Sequence, residues 1–285
     1  MNKGKNGILL VNKEPGYTSR KVGNMLSRKL KIKKVGHLGT LDPFASGLLI
    51  FAVGEGTKVL PYLEDEVKTY VATLYFGLLT TTLDPDGEVI KKEKVPPFSK
   101  AEIEKVIKQF TGEVTQIPPT TSAIKIDGKR AYEYARKNIE VDMPSRVVEV
   151  YTIEVLEYNH PLLVIEATVS KGTYIRTLAQ DIALALGTNA TTIKLVRTRH
   201  GDFSLEKAKL FEEVSEEDII DPSLGLKKFP IYKLSDEEVK RVRNGMTIKL
   251  NASEEIVQIH NNSGVLQALY KKKGDNYIAL RGFNL

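Results

Sequence analysis

The spacing of hydrophobic and polar positions changes several times along the chain, and each change predicts an element. Gly7 to Asn12 (GILLVN) is a short apolar run that reads as a strand, closed by the turn formers Lys13-Glu14-Pro15-Gly16. Val22, Met25, Leu26 and Leu30 share one face of a helix that Thr18 or Ser19 can cap. Leu48 to Val53 is continuously apolar, the pattern of a buried strand, and Lys68 to Leu78 alternates like a half-buried one. The turn signal Asp84-Pro85-Asp86-Gly87 leads into a second strand, Glu88 to Lys92. Ser99 and Glu102 form a capping box ahead of Ile103, Val106, Ile107 and Phe110. Tyr132 to Arg136 reads as a short helix inside a loop-rich span, about 116–146, that mixes basic and aromatic residues.

Two long strands follow, Val147 to Glu157 and Leu162 to Ser170, joined by the hairpin signal Tyr158-Asn159-His160-Pro161. A helix opens at Lys171-Gly172-Thr173-Tyr174-Ile175-Arg176 and runs to about Leu186. Composition shifts after about Asp202, where an acidic connector runs to Pro222. Ser235 with Glu238 then caps a helix ending at Asn244-Gly245. Three short strands end the chain: Glu255 to His260, Gly264 to Tyr270 and Tyr277 to Arg281, with turns at Asn261–Gly264 and Lys271–Asn276.

Charge adds a partner class to this outline. Net charge is +6, and residues 1–50 carry ten Lys/Arg against Glu14 and Asp42. The remainder is therefore net acidic, and a basic face of this kind suits a polyanion such as RNA; a lysine-rich solvated surface explains the same count. Arg20, Lys21, Arg28 and Lys29 lie on the polar face of the first helix, available to phosphates. No cysteine is present, and His37, His160, His200 and His260 lack ligand spacing, so no disulfide and no metal site are expected. No apolar run reaches the roughly 18 residues of a membrane span, and no secretory h-region is visible. A cytoplasmic protein without membrane contact is the expectation.

The densest chemistry sits in Gly36-His37-Leu38-Gly39-Thr40-Leu41-Asp42-Pro43-Phe44-Ala45-Ser46-Gly47-Leu48. Pro43 pushes Asp42 towards an extended conformation, so the carboxylate is expected on a stiff, non-helical loop. Asp-Pro after Thr-Leu is also an ordinary turn former, and spacing alone leaves a structural turn open.

Extended by Leu49, this stretch resembles the signature of the TruB family of pseudouridine synthases, Gly-His-x-Gly-Thr-Leu-Asp-Pro-x-Ala-x-Gly-x-Leu, at every fixed position. The resemblance implies that Asp42 is the catalytic residue. Lys68-Thr69-Tyr70 is similar to the second family motif, which would make Tyr70 the ring that stacks on the target uracil. Ser170-Lys171-Gly172-Thr173-Tyr174-Ile175-Arg176 resembles the third, which would make Arg176 the partner of Asp42 and Tyr174 a further substrate contact. Leu195-Val196-Arg197-Thr198-Arg199-His200-Gly201-Asp202-Phe203 resembles Leu-x-Arg-Thr-x-x-Gly-x-Phe, which would place Leu195 in the uracil pocket. The family turn Lys-Pro-x-Gly is matched only in part, since Glu14 stands between Lys13 and Pro15. Lys13 is still expected to support the active-site loop, and His37 to fill the gap an extruded base leaves.

The resemblance implies an α+β fold: a large mixed or antiparallel sheet flanked by helices over residues 1–225, and a small β-rich PUA-like RNA-binding domain over 226–285. The span 116–146 would be an insertion that closes over the RNA stem. The implied reaction is conversion of the T-loop uridine of tRNA, position 55, to pseudouridine by a monomer. It breaks an N-glycosidic bond, turns the uracil and rejoins it through carbon, so no cofactor is needed. Asp42, ionised beside a bidentate Arg176, would attack C1′ or draw a proton from the ribose. A non-catalytic tRNA-binding chaperone using the same basic face is the alternative. A hydrolase reading wants a second carboxylate or a metal cluster near Asp42, and the sequence displays no such motif.

Overall fold

The computed structural model describes residues 5–63, 67–122, 124–135, 137 and 139–285. Ala123 and Arg136, both in the 116–146 span, lie outside the described residues. The chain begins β1 (Gly7–Lys13), α1 (Ser19–Lys29), β2 (Val35–Leu38), β3 (Ser46–Val53) and β4 (Lys68–Phe76). A hairpin of β5 (Leu78–Thr80) and β6 (Val89–Lys92) precedes α2 (Lys100–Ile107) and β7 (Gly112–Gln116). The 116–146 span holds a small hairpin, β8 (Lys125–Ile126) with β9 (Lys129–Arg130), and the short α3 (Ala131–Ala135). Then come β10 (Arg146–Asn159), β11 (Leu162–Val169), α4 (Ile175–Ala185) and β12 (Ala190–His200). After β13 (Phe203–Ser204) and β14 (Lys209–Leu210), the chain ends β15 (Ile231–Lys233), α5 (Asp236–Arg243), β16 (Ile256–His260), β17 (Leu266–Lys273) and β18 (Asn276–Gly282).

The large sheet has the order β14-β1-β3-β12-β4-β11-β10-β7, with β2 added to β3 and β13 to β12. It is mixed: β3 pairs β12 and β1 pairs β14 in parallel, and the other ladders are antiparallel. One face is covered by helices. Val22 and Leu26 of α1, Ile103 and Ile107 of α2, and Leu178 and Ile182 of α4 share a core with Ala72 and Leu74 of β4. The expected caps form: Thr18, not Ser19, accepts from Lys21 N to start α1, and Ser99 and Glu102 close their box on α2. The four-stranded C-terminal sheet, order β15-β16-β17-β18, builds its own core on Tyr270, Tyr277 and α5. Its Leu266 and Leu269 also pack against Ile8, Leu48 and Ile50 of the large sheet. The architecture is the α+β arrangement expected.

β12 is the longest strand that periodicity did not predict. It lies mid-sheet between β3 and β4, yet its buried positions include Thr191, Thr192, Arg197 and His200. Polar residues at inward positions erase the hydrophobic alternation by which a strand is recognised. The predicted turn at Lys271–Asn276 is also shorter than expected, because Lys271 to Lys273 continue β17 in pairing with β18.

Candidate active site

Asp42 sits between β2 and β3 on a loop that is fastened from both sides. Ser19 at the start of α1 donates its hydroxyl to Leu41 O and accepts from Leu41 N, at 3.1 and 2.9 Å. Gly16 N donates to Pro43 O at 2.8 Å, and Ala45 N to Asp42 O at 3.1 Å. Leu41 and Ala45 are anchored in the same core as Tyr70, Leu195 and Ile175. Lys13, buried at the end of β1, donates to Glu14 O, Tyr17 O and Pro43 O at 3.0, 2.8 and 3.2 Å. An ammonium has three protons, and here each has a carbonyl. Burial, and to a lesser degree Arg197, lower its pKa to about 8, with Asp42 and Asp86 pulling the other way.

The first turn of α4 supplies the counter-charge. Arg176 is 2% exposed and its Nε lies 3.0 Å from Asp42 Oδ2. The expected bidentate clasp is not what forms: one guanidinium is shared between two carboxylates. Its Nη1 turns instead to Asp84 Oδ2 at 2.8 Å, Thr82 O at 2.7 Å and Thr121 Oγ1 at 3.0 Å. Asp84 also accepts from Thr82 Oγ1 and from Asp86 N. A second carboxylate therefore does stand near Asp42, which corrects the sequence expectation. It is fully engaged in holding Arg176 and its own turn, so it offers no free base for a hydrolase. A turn signal alone does not announce a buried carboxylate, which is why sequence reasoning assigned Asp84 only to a turn.

Asp42 keeps 32% of its side chain open, but the protein mass around it still matters. Burial pushes its carboxyl above the ordinary aspartate range; Arg176 opposes this, Asp84 adds to it and Lys13 pulls it back. Tyr174 precedes α4 and exchanges two hydrogen bonds with Gln116, donating from N to Oε1 and accepting at O from Nε2. Arg146 lies over its ring, 5.6 Å from the centroid. Both ends of the 116–146 span thus meet Tyr174, whose hydroxyl is raised in pKa chiefly by burial.

Tyr70 and Leu195 are buried in the core beneath the loop, Tyr70 with 8% exposure. His37 stands apart on β2, opposite Phe51 of β3, with ring centroids 6.0 Å apart. Burial and the nearby Arg197 and Arg20 hold it below its usual pKa. On the polar face of α1, Arg20, Lys21 and Arg28 are exposed. Lys29 is not free for phosphates: its ammonium donates to Phe211 O and Glu212 O of the acidic connector. Among the described residues, no three His, Asp or Glu side chains converge closely enough to hold a metal ion.

Residues 27–175 match the model of the TruB family pseudouridylate synthase N-terminal domain. This chain belongs to the TruB family. A protein of Bacillus pumilus named tRNA pseudouridine synthase B is 40% identical over 290 residues, covering 94% of this chain and 93% of the relative. One of the same name from Caldanaerobacter subterraneus is 38% identical, covering 94% and 96%. A chain in the solved structure of an H/ACA RNP bound to a substrate RNA containing 2'-deoxyuridine superposes with a TM-score of 0.74. That chain shares 25% identity, with 99% of this chain and 86% of that one covered. The TruB match takes in the whole Asp42 loop and ends one residue before Arg176.

Proposed function

We propose that this protein isomerises the T-loop uridine of tRNA, position 55, to pseudouridine, with Asp42 as the reacting carboxylate. The observation that carries this reading is the Arg176–Asp42 pair, 3.0 Å apart, built on a loop that matches the TruB signature throughout. A positive partner at that distance favours the carboxylate form against burial. Asp42 then acts at C1′ as nucleophile or at the ribose as base, the glycosidic bond to nitrogen breaks, and the uracil turns and reattaches through carbon.

The target base must leave its stack before the carboxylate can reach it. Tyr70 offers an aromatic face, and stacking of this kind is worth about 1–3 kcal/mol per base. Leu195 and Tyr174 line the uracil pocket, His37 fills the space the base leaves, and Lys13 holds the loop. The reaction consumes no cofactor. Residues 116–146 close over the T arm, and 226–285 form a PUA-like module that adds RNA contact to a catalytic domain of 1–225. All these groups come from one chain, which supports action as a monomer, and a tRNA substrate supports a cytoplasmic location. The pair between Arg176 and Asp42 favours catalysis over a purely chaperoning role.

The test is to incubate the pure protein with unmodified tRNA transcript and map pseudouridine by chemical reactivity. One new pseudouridine in the T loop is expected. Tight tRNA binding with no product would support the chaperone instead.

A further inference from the structure

We propose that Arg197 is a positioning residue, fixing the two ends of the loop that carries Asp42; the inference rests on Asp42 being the reacting group. Arg197 lies in β12, 1% exposed, with its backbone opposite Gly47 of β3 and Tyr70 of β4. Its Nε donates to Leu48 O at 2.8 Å. A Cβ on Gly47, where φ is +100°, would lie 2.4 Å from Arg197 O. A Cβ on Gly39, where φ is +61°, would lie 3.3 Å from Arg197 Nη1. One residue therefore touches both ends of the loop: its side chain reaches Gly39 at the entry and Leu48 O at the exit, and its backbone lies against Gly47, with Asp42 between them.

Stability does not account for a guanidinium at this place. Its Nη2 is buried without a hydrogen-bond partner. The carboxylates of Asp42 and Asp84 are held by Arg176, and among the described residues no carboxylate pairs with Arg197. Burial is the main cause that lowers the pKa of Lys13, His37 and His200, and the charge of Arg197 adds to it. A buried charge with no anion is unfavourable, and such unfavourable placements persist where geometry is over-determined by function. Displacing a reacting group by about 1 Å can cost about a hundredfold in rate, so a staple on both ends of this loop acts on turnover.

The test compares wild type, Arg197→Lys, Arg197→Met and Gly39→Ala. Single-turnover rates are measured with saturating enzyme, well below each unfolding temperature, beside tRNA dissociation constants. Hydrogen exchange of residues 39–47 is followed without RNA. The Arg197 variants should lose at least about tenfold in saturated rate, keep tRNA affinity within about threefold, and exchange faster within the loop. Gly39→Ala, which presses on Nη1 from the loop side, should behave alike and decides the matter if the Arg197 variants do not fold. Unchanged exchange, or a saturated rate within about threefold of wild type, would overturn the proposal. Weakened affinity at a normal saturated rate would overturn it too, in favour of a phosphate contact. If wild type made no pseudouridine the reading of Asp42 would fail instead, while the exchange data would still judge the staple.

Discussion

Two segments bring a carboxylate to the same guanidinium, and they do so in opposite ways. The turn around Asp84 surrounds its carboxylate: 7% of the side chain is exposed, and Thr82, Asp86 N and Arg176 all donate to it. The loop of residues 39–45 is just as firmly held, but through its backbone and its neighbours Leu41 and Pro43. Asp42 itself keeps 32% exposure and has Arg176 as its ion-pair partner. Rigid backbone with an under-used side chain is what a reacting group requires. A saturated side chain on a turn is what a support requires. The same residue type at the same arginine thus divides into reagent and prop by its remaining hydrogen-bond capacity.

The sharpest break of this comparison is Asp42→Asn. Turnover should fall by at least about a thousandfold, roughly 4 kcal/mol of barrier, with tRNA affinity nearly intact because phosphate contacts dominate it. Since burial raises the Asp42 pKa, the ionised carboxylate disfavours the folded state at neutral pH, and its removal should leave the unfolding temperature unchanged or higher. A clear drop in that temperature would make Asp42 a prop after all.

Next in size is Arg176→Lys. A lysine keeps the charge but cannot serve Asp42 and Asp84 from one planar fork. The single-turnover rate at saturating enzyme should fall about a hundredfold, on the order of 2.7 kcal/mol. A normal saturated rate with weaker tRNA binding would mean that Arg176 serves the RNA rather than the carboxylates.

Asp84→Ala should reverse the Asp42 phenotype. Removing Asp84 takes one of two carboxylates from a buried guanidinium that Asp42 still pairs, at a cost of about 1–3 kcal/mol. Denaturant unfolding should register that loss, with turnover reduced less than in Arg176→Lys. Full stability with abolished turnover would erase the distinction between the two carboxylates.

The smallest effect concerns pH. Lys13 titrates near 8 in the fold against 10.5 ordinarily, so the unfolded chain binds more protons between those values. Through this group, stability therefore rises with pH across the window from about 8 to 10.5. Deprotonation also removes one of three protons that hold Glu14, Tyr17 and Pro43 carbonyls, so the saturated rate should decline above about pH 8. A rate flat to pH 10 would remove Lys13 from loop support.

Much of the fold was legible because its helices and outer strands obey simple periods, as in α1, α2 and the β10–β11 pair. β12 was not, since threonines, an arginine and a histidine occupy its buried positions. At the site, Asp42 and Arg176 stood out through motif resemblance, but their geometry did not. Nothing local in Thr82, Asp84 or Thr121 reveals that the chain brings all three to Arg176 from 55 to 94 positions away. Arg197 was visible as a motif letter, and only its contacts with Gly39 and Leu48 give it work to do.

The packing of Leu266, Leu269 and Phe283 against Leu48 and Ile50 bears on how the molecule can be cut and recombined. β3 faces two cores at once: Leu49 and Phe51 belong to one, Leu48 and Ile50 to the other. A chain ended before β15 would uncover the part of the second face that Leu266, Leu269 and Phe283 cover, beside the exit of the Asp42 loop. Such a fragment would be prone to self-association, and its lost activity would mimic lost RNA contact. Grafting a foreign terminal module would succeed only if the graft restored those three apolar side chains, whatever RNA surface it carried.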